Sequence, residues 1–249
     1  MANTSLQQTE LSTAVPVESL RLKLGDDVIH YLKAGTGPPV LLLHGGACES
    51  SDWIETMVTL SDRFTFYAPD LVGYGLSDRN KDGYVMADFV DSIIAMTEAL
   101  KIDSYDLVGH SLGGRIGLDI ALRYPEKVRK LVLLDTAGFS RLALWGTFLA
   151  TVAWAVRSAL KRPQPYPRFL REDGADPHWL CLDRVSALEK DTLIIWNRHD
   201  PYYSVKGAYK AEKIIPRVEL KVFPGYGHAP HRSQRELFNS LLLDFLSRD

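Results

Sequence analysis

The chain has little of what several classes of protein require. Only two of its 249 residues are cysteines, Cys48 and Cys181, so no disulfide framework is indicated. The formal net charge is only −2, from 29 basic and 31 acidic residues, so the chain lacks the basic excess that binding to a phosphate backbone requires. We therefore expect two free thiols, a reducing cytoplasmic location and no nucleic-acid partner.

Signals for targeting and for common cofactors are also missing. Residues 1–15 are polar and lack the cationic start and apolar centre of a secretory signal peptide, and we expect residues 1–17 to be a disordered tail. The turn Gly73-Tyr74-Gly75 lacks the third glycine of a dinucleotide-binding fingerprint, and the sequence has no phosphate-binding loop with its lysine. The sequence thus predicts chemistry without a cofactor.

Strands and helices alternate along most of the remaining chain. A length of 249 residues with 46% hydrophobic residues suits one α/β domain. Leucines that alternate with basic residues before the turn Gly25-Asp26-Asp27, and the strand-like run of residues 28–33 after it, predict an antiparallel hairpin at a sheet edge. Further strands, separated by helix-length segments, are predicted at residues 40–44, 64–68, 105–109, 130–134, 193–196 and 218–223. This pattern predicts a mostly parallel, twisted sheet with helices on both faces.

A serine between glycines is the strongest chemical signal. Gly109-His110-Ser111-Leu112-Gly113 follows the apolar strand at residues 105–108 and precedes a helix-like segment that Pro125 ends. A nucleophile elbow has this arrangement, because the strained turn leaves no room for side chains on either flank of the serine. The pattern predicts Ser111 as a nucleophile on a strand-to-helix turn.

Partners for such a serine occur downstream. A serine hydroxyl needs a histidine to accept its proton, and the histidine needs a carboxylate to orient it. Asp200 ends the apolar strand that begins at Leu193, and His228 follows the strand that begins at Val218. The order Ser111, Asp200, His228 is the one found in α/β-hydrolases.

These motifs resemble those of the α/β-hydrolase superfamily, in the group of small esterases and C–C bond hydrolases. His44-Gly45-Gly46 after an apolar run is similar to the oxyanion loop of the family, and residues 70–78 are similar to its second glycine-rich turn. The resemblance runs from about Leu20 to the C-terminus and implies a core of residues 18–137 and 191–249. It also implies an oxyanion hole made by the backbone N–H groups of Gly46 and Leu112.

Residues 138–190 are predicted to form a short helical lid over the site. Residues 142–156 of this insert are apolar on nearly all sides but too few to span a bilayer as a helix. Because Arg157, Lys161 and Arg162 follow the apolar run, attachment to a membrane surface stays an alternative that we do not expect. The candidates for the pocket wall are aromatic: Trp145, Phe148, Trp154 and Trp179.

Several residues allow a second interpretation. Asp135 also ends a strand at the catalytic edge and could replace Asp200 as the acid. Asn197 stands where relatives often carry glycine, and because asparagine tolerates the left-handed conformation better than most residues, we expect this departure to cost little. His228 and His231 have a spacing that suits metal ligation only on a helix, which Pro230 disfavours, so no metal is expected.

Three classes of function fit these observations. The first is a carboxylesterase or lactonase that acts on a small molecule with an apolar or aromatic part, through a covalent acyl-serine. The second is a C–C bond hydrolase of a diketone-like substrate, which would use the same three residues. The third is a ligand receptor built on a hydrolase fold. A monomer or homodimer is expected in each case.

Overall fold

The computed structural model describes residues 16–81, 84–160 and 181–248. In this part of the chain, eight strands form one sheet in the order β1-β2-β4-β3-β5-β6-β7-β8. The strands are β1 Glu18–Leu24, β2 Asp27–Ala34, β3 Pro39–Leu43, β4 Thr65–Pro69, β5 Tyr105–His110, β6 Val128–Leu134, β7 Asp191–His199 and β8 Val218–Tyr226. All the strands predicted from the sequence are present.

The sheet is parallel from β4 to β8 and antiparallel at its other edge. β1 pairs with β2 in an antiparallel hairpin, from Glu18 opposite Lys33 to Leu24 opposite Asp27, and β2 is also antiparallel to β4. The pairs β4 with β3, β3 with β5, and β5 through β8 are parallel. The predicted edge hairpin is therefore confirmed, and the carboxyl ends of β3 and β5 to β8 meet at one edge.

Helices cover both faces of this sheet. They are α1 Ile54–Leu60, α2 Met86–Ala99, α3 Leu112–Arg123, α4 Leu144–Ala159, α5 Val205–Glu212, α6 Pro230–Ser233 and α7 Arg235–Ser247. Along β3, Leu41 and Leu43 pack with residues of α2, α3 and α5, whereas Val40 and Leu42 pack with residues of α1 and α7. Both faces of a central parallel strand are thus buried, which explains its continuous apolar sequence.

The predicted insert contributes to two parts of the molecule. Its described first part contains α4, and its last residues return to the core, where Cys181, Val185 and Leu188 are fully buried. In the described residues, no helix combines the length and the apolar character needed to cross a membrane. The predicted disordered tail lies outside the described residues apart from Pro16 and Val17, and Val17 packs on the core.

Candidate active site

Ser111 lies in a sharp turn between β5 and α3. Its backbone angles, φ 52° and ψ −110°, are rare for a residue with a side chain. The Ser111 N–H donates to the carbonyl of Leu134 at 2.9 Å. The Ser111 carbonyl in turn accepts from the N–H groups of Arg115 at 3.1 Å and Ala137 at 3.2 Å. These three hydrogen bonds fix the serine at the carboxyl edge of the sheet.

The glycines beside Ser111 are required by close approach of the backbone. A Cβ atom at Gly109 would lie 2.4 Å from the carbonyl oxygen of Gly113, and one at Gly113 would lie 2.3 Å from that of Leu43. Such distances are far inside van der Waals contact, so the clash predicted from the sequence is confirmed. Glycine at position 113 lets the start of α3 lie directly against the end of β3.

We expect Gly113→Ala to lower the free energy of unfolding by about 1–3 kcal/mol, because backbone atoms cannot move aside as a side chain can. Thermal denaturation measures this effect. Gly117→Ala in the same helix is the control, since the nearest atom to its new Cβ is the flexible tip of Leu107. If, above pH 7, Gly113→Ala and Gly117→Ala had the same melting temperature, the close packing of α3 on β3 would not be the reason for glycine at position 113.

The three residues predicted from their order in the sequence meet at this edge. His228 Nε2 lies 2.8 Å from Ser111 Oγ, and His228 Nδ1 lies 2.8 Å from Asp200 Oδ2. Asp200 Oδ1 also accepts the Tyr202 N–H at 2.7 Å, and the carboxylate is fully buried. His228 is therefore hydrogen-bonded on both ring nitrogens, in an arrangement that could pass a proton between Ser111 and the imidazole.

Asp135, the alternative acid, lies next to this group but makes no hydrogen bond to His228. Its Oδ1 accepts the Asn197 N–H at 2.9 Å, and its backbone has a positive φ of 41°. Burial, and then the neighbouring Asp200, raise the pKa of Asp135 well above its ordinary value. The imidazole is thus oriented by Asp200, while Asp135 contacts the end of β7.

Asn197 does not adopt the left-handed conformation that asparagine tolerates. Asn197 is an internal residue of β7 and is not among the non-glycine residues with positive φ. Its side chain instead joins β7 to two other segments: Nδ2 donates to the carbonyl of Gly227 at 3.3 Å, and Oδ1 accepts from Gln234 Nε2 at 3.2 Å. Asparagine suits this position because its amide both donates and accepts.

Two further histidines, His110 and His44, lie at the site and act as hydrogen-bonding residues. His110 Nε2 donates to the backbone carbonyl of His228, and the two rings lie 5.0 Å apart. His44 Nε2 accepts the Leu71 N–H at 3.0 Å, so its Nδ1 carries the proton that is shared with the Gly45 carbonyl at 2.8 Å. Burial lowers the pKa of both histidines, and that of His110 strongly. Each therefore remains neutral at physiological pH.

The residues predicted to form the oxyanion hole flank Ser111. Leu112 is the first residue of α3, and the first N–H groups of a helix have no partner within the helix. Gly46 follows Gly45, where a Cβ atom would lie only 3.3 Å from the Cβ of Ser111. Both N–H groups thus belong to segments that lie close to Ser111. Their role in stabilising an oxyanion stays a prediction.

Aromatic residues that sequence reasoning missed surround the histidine. The rings of Tyr202 and Tyr203 lie 4.9 Å and 5.5 Å from that of His228. Tyr202 also joins the site to α4, because its carbonyl accepts the Ala143 N–H at 2.8 Å and its ring faces Gly146. The tyrosine pair after Asp200-Pro201 was the only signal in the sequence.

The predicted pocket wall is described only in part. Phe148 lies in α4 with 55% of its surface exposed. The side chains of Trp145 and Trp154, and all of Trp179, lie outside the described residues. The pocket role of these four aromatics stays a prediction.

Two groups of side chains near the site have the donor atoms of metal ligands. In one, Cys48, Asp52 and His110 lie together, but the Arg232 guanidinium contacts Cys48 Sγ at 3.7 Å and also binds Asp52. In the other, Asp135 and Asp200 lie with His228, whose two nitrogens are already hydrogen-bonded. The Arg232 guanidinium in the first group would repel a cation, and the nitrogens of His228 in the second are already hydrogen-bonded, which makes both groups poor metal sites.

His231 makes stability sensitive to acid. Burial, and then His228, lower the pKa of His231 from 6.5 to about 3, and its ring stacks on Trp53 at 4.5 Å. Below pH 6.5 the unfolded chain binds a proton that the folded chain does not accept until about pH 3, so stability falls as pH falls through this window.

The variant His231→Phe keeps a ring against Trp53. Between pH 7 and pH 5, we expect its free energy of unfolding to fall by about 2 kcal/mol less than that of wild type. Urea unfolding at the two pH values measures this difference. His199→Phe, at an exposed histidine that stacks on Tyr226, is the control. An unchanged pH dependence in His231→Phe would mean that His231 takes up its proton in the folded state.

Comparison with known proteins identifies the family. Residues 38–167 match the family model described as alpha/beta hydrolase fold. The 2-hydroxymuconate semialdehyde hydrolase of Pseudomonas sp. (strain CF600) is 28% identical over 98% of this chain and 97% of its own length. The cis-3-alkyl-4-alkyloxetan-2-one decarboxylase of Shewanella oneidensis is 31% identical over 88% of this chain and 85% of its own length.

Among solved structures, a meta-cleavage product hydrolase from Pseudomonas fluorescens IP01 is 26% identical, with a TM-score of 0.77. The match covers 91% of this chain and 97% of that one. The order of the eight strands, the strained serine turn and the relatives agree with one another. This chain therefore belongs to the α/β-hydrolase fold family and is a hydrolase.

Proposed function

We propose that this protein is a serine hydrolase that cleaves a carboxylic ester, as a carboxylesterase or lactonase, with Ser111, His228 and Asp200 as its catalytic residues. One observation carries the proposal: the two 2.8 Å hydrogen bonds that join Ser111 Oγ to His228 Nε2 and His228 Nδ1 to Asp200 Oδ2. This connection gives a serine hydroxyl the base it needs and gives that base a fixed orientation.

The first half of the reaction forms an acyl-serine. Ser111 Oγ attacks the ester carbonyl carbon, and its proton passes to His228 Nε2. Asp200 stabilises the resulting imidazolium through Nδ1–H, while the N–H groups of Gly46 and Leu112 stabilise the negative carbonyl oxygen. The C–O bond then breaks, and His228 gives its proton to the leaving alcohol.

The second half releases the acid. Water takes the place of the alcohol, His228 Nε2 accepts a proton from it, and the hydroxide attacks the acyl carbon. Collapse of this second intermediate breaks the bond to Ser111 Oγ, which recovers its proton from His228. Substrate and water supply every atom, so the cycle uses no cofactor.

The surroundings of His228 support a substrate with an apolar or aromatic part. Tyr202 and Tyr203 are half-buried and present their rings to the imidazole. Arg115, the cation one turn along α3 from Ser111, is held by Asp119 at 3.2 Å. A neutral, partly aromatic ester therefore fits the described walls better than an anionic one.

Hydrolysis of a C–C bond in a diketone-like substrate is the second candidate, and the relatives support it. Two of the proteins compared above are named as hydrolases of 2-hydroxymuconate semialdehyde and of a meta-cleavage product. The same serine, histidine and aspartate would act on a ketone carbonyl in that case. Only the bond that breaks in the intermediate would differ.

A substrate panel separates the two reactions. Nitrophenyl esters of increasing acyl length are assayed beside a ring-cleavage diketone, with kcat/KM as the measure. We expect the esters to be hydrolysed with a preference for an apolar acyl chain and the diketone to react at least about tenfold more slowly, which corresponds to about 1.4 kcal/mol of transition-state stabilisation. Preference for the diketone would assign the second reaction, and failure to turn over either substrate would favour a receptor.

A further inference from the structure

A second carboxyl group, which the proposed mechanism does not use, lies beside the catalytic residues. Asp135 follows β6 and is fully buried. Its Oδ1 accepts the Asn197 N–H, but its buried Oδ2 accepts no hydrogen bond from any donor among the described residues. One oxygen each of Asp135 and Asp200 and one nitrogen of His228 all lie within 4.8 Å of one another.

Two carboxylates that are this close and this well buried do not both keep a negative charge. Asp200 has the partners that an ionised carboxylate requires, since it accepts both the His228 Nδ1–H and the Tyr202 N–H. Asp135 has one backbone donor. His110, at the end of β5, brings no positive charge, because burial keeps its pKa well below the ordinary value.

The backbone at Asp135 supports a functional reason for this residue. Its φ of 41° is a conformation that glycine adopts more easily than aspartate, and Ser111 has a further strained turn at this edge. The two turns are also joined, because the Ser111 N–H binds the carbonyl of Leu134, the residue before Asp135. The Asp135 N–H donates to Ile195 O on β7 at 3.1 Å.

We propose that Asp135 carries a proton at neutral pH and that its Oδ2–H donates to Asp200, holding that carboxylate in place behind His228. Asp135 is then a positioning residue, and the proposal rests on the proposed function. The pair holds one proton and one negative charge throughout the cycle. When His228 takes the Ser111 proton, the resulting imidazolium faces a single negative charge, and the proton within the pair is not consumed.

Infrared spectroscopy of the resting enzyme tests the proton without any turnover. A protonated carboxyl has a C=O stretch that is separate from that of a carboxylate and shifts in D2O. We expect the difference spectrum of wild type minus Asp135→Asn at pH 7 to contain this band. Absence of the band would overturn the proposal even if Ser111, His228 and Asp200 catalyse the reaction as proposed.

Kinetics test the positioning role. Asp135→Asn stays neutral and keeps an N–H donor, so we expect kcat/KM to change less than about threefold and the pH profile to match that of wild type. Asp135→Leu leaves a buried acceptor of Asp200 without its donor, so we expect kcat to fall roughly 10- to 100-fold with KM little changed. Asp106→Asn, which removes a buried carboxylate paired with Arg129 away from the site, is the control.

Two kinetic outcomes would contradict the proposal. A loss in Asp135→Asn as large as in Asp200→Asn would mean that Asp135 acts as an ionised carboxylate. Full activity in Asp135→Leu would mean that its proton does not position Asp200. If Asp135→Leu fails to fold, the spectrum and pH profile of Asp135→Asn decide, because this variant keeps the size and the neutral charge of the protonated side chain.

Discussion

Replacing Ser111 with alanine is expected to lower kcat roughly 10⁶-fold, because the serine, histidine and aspartate act as a unit and no other group takes the place of the nucleophile. Within the described part of the chain, the hydroxyl makes one hydrogen bond in the resting site, at 2.8 Å to His228 Nε2. Kinetics with the best ester of the substrate panel measure the loss, with substrate above KM.

The fold of this variant should be unchanged. The backbone hydrogen bonds of the Ser111 turn do not involve the side chain, so the melting temperature should stay within a few degrees of wild type. More than a few per cent of residual activity in a well-folded variant would remove Ser111 from its proposed role. Loss of the fold would instead show that the serine hydroxyl is needed to hold the turn.

Asp200→Asn should have the second largest effect, lowering kcat roughly 10⁴-fold. Asparagine fills the same space but can present its NH₂ group to His228 Nδ1, which favours the tautomer with the proton on Nε2. That nitrogen then faces Ser111 as a donor and cannot accept the proton of the serine. Steady-state kinetics, with circular dichroism as the check on folding, measure the effect.

The matched variant is Asp135→Asn, at the other strand-end acid. Because Asp200 rather than Asp135 makes the 2.8 Å contact with His228, the change at position 135 should be far milder. Reversal of the two effects would place the catalytic acid at the end of β6.

Much of this site could be predicted from sequence, because its parts lie at the ends of parallel strands. Ser111, Asp200 and His228 each follow an apolar strand, and the carboxyl ends of parallel strands meet at one edge of a sheet. Their proximity therefore follows from the order of strands and helices alone. The glycines at positions 109 and 113 were predictable for the same local reason, since a tight strand-to-helix turn leaves no space for a Cβ atom.

Other features depend on contacts between loops that are far apart in the chain, and sequence reasoning missed them. For Asn197 the sequence suggested only a tolerance of the left-handed conformation, but its amide joins β7 to the loop after β8, to α6 and to the residue before α7. The hydrogen bond from His110 to the His228 carbonyl spans 118 positions. No local pattern of residue types reports such a pairing, because each partner is an ordinary polar residue in its own segment.

The most direct test of Ser111 as the nucleophile is covalent labelling with a fluorophosphonate probe, with the modified residue identified by peptide mass spectrometry. We predict one label per chain, on Ser111, and loss of ester hydrolysis in proportion to labelling. His228→Ala should label much more slowly, because the serine would lack its base. Labelling at a different residue, or full activity in enzyme labelled at Ser111, would contradict the role of Ser111 as the nucleophile.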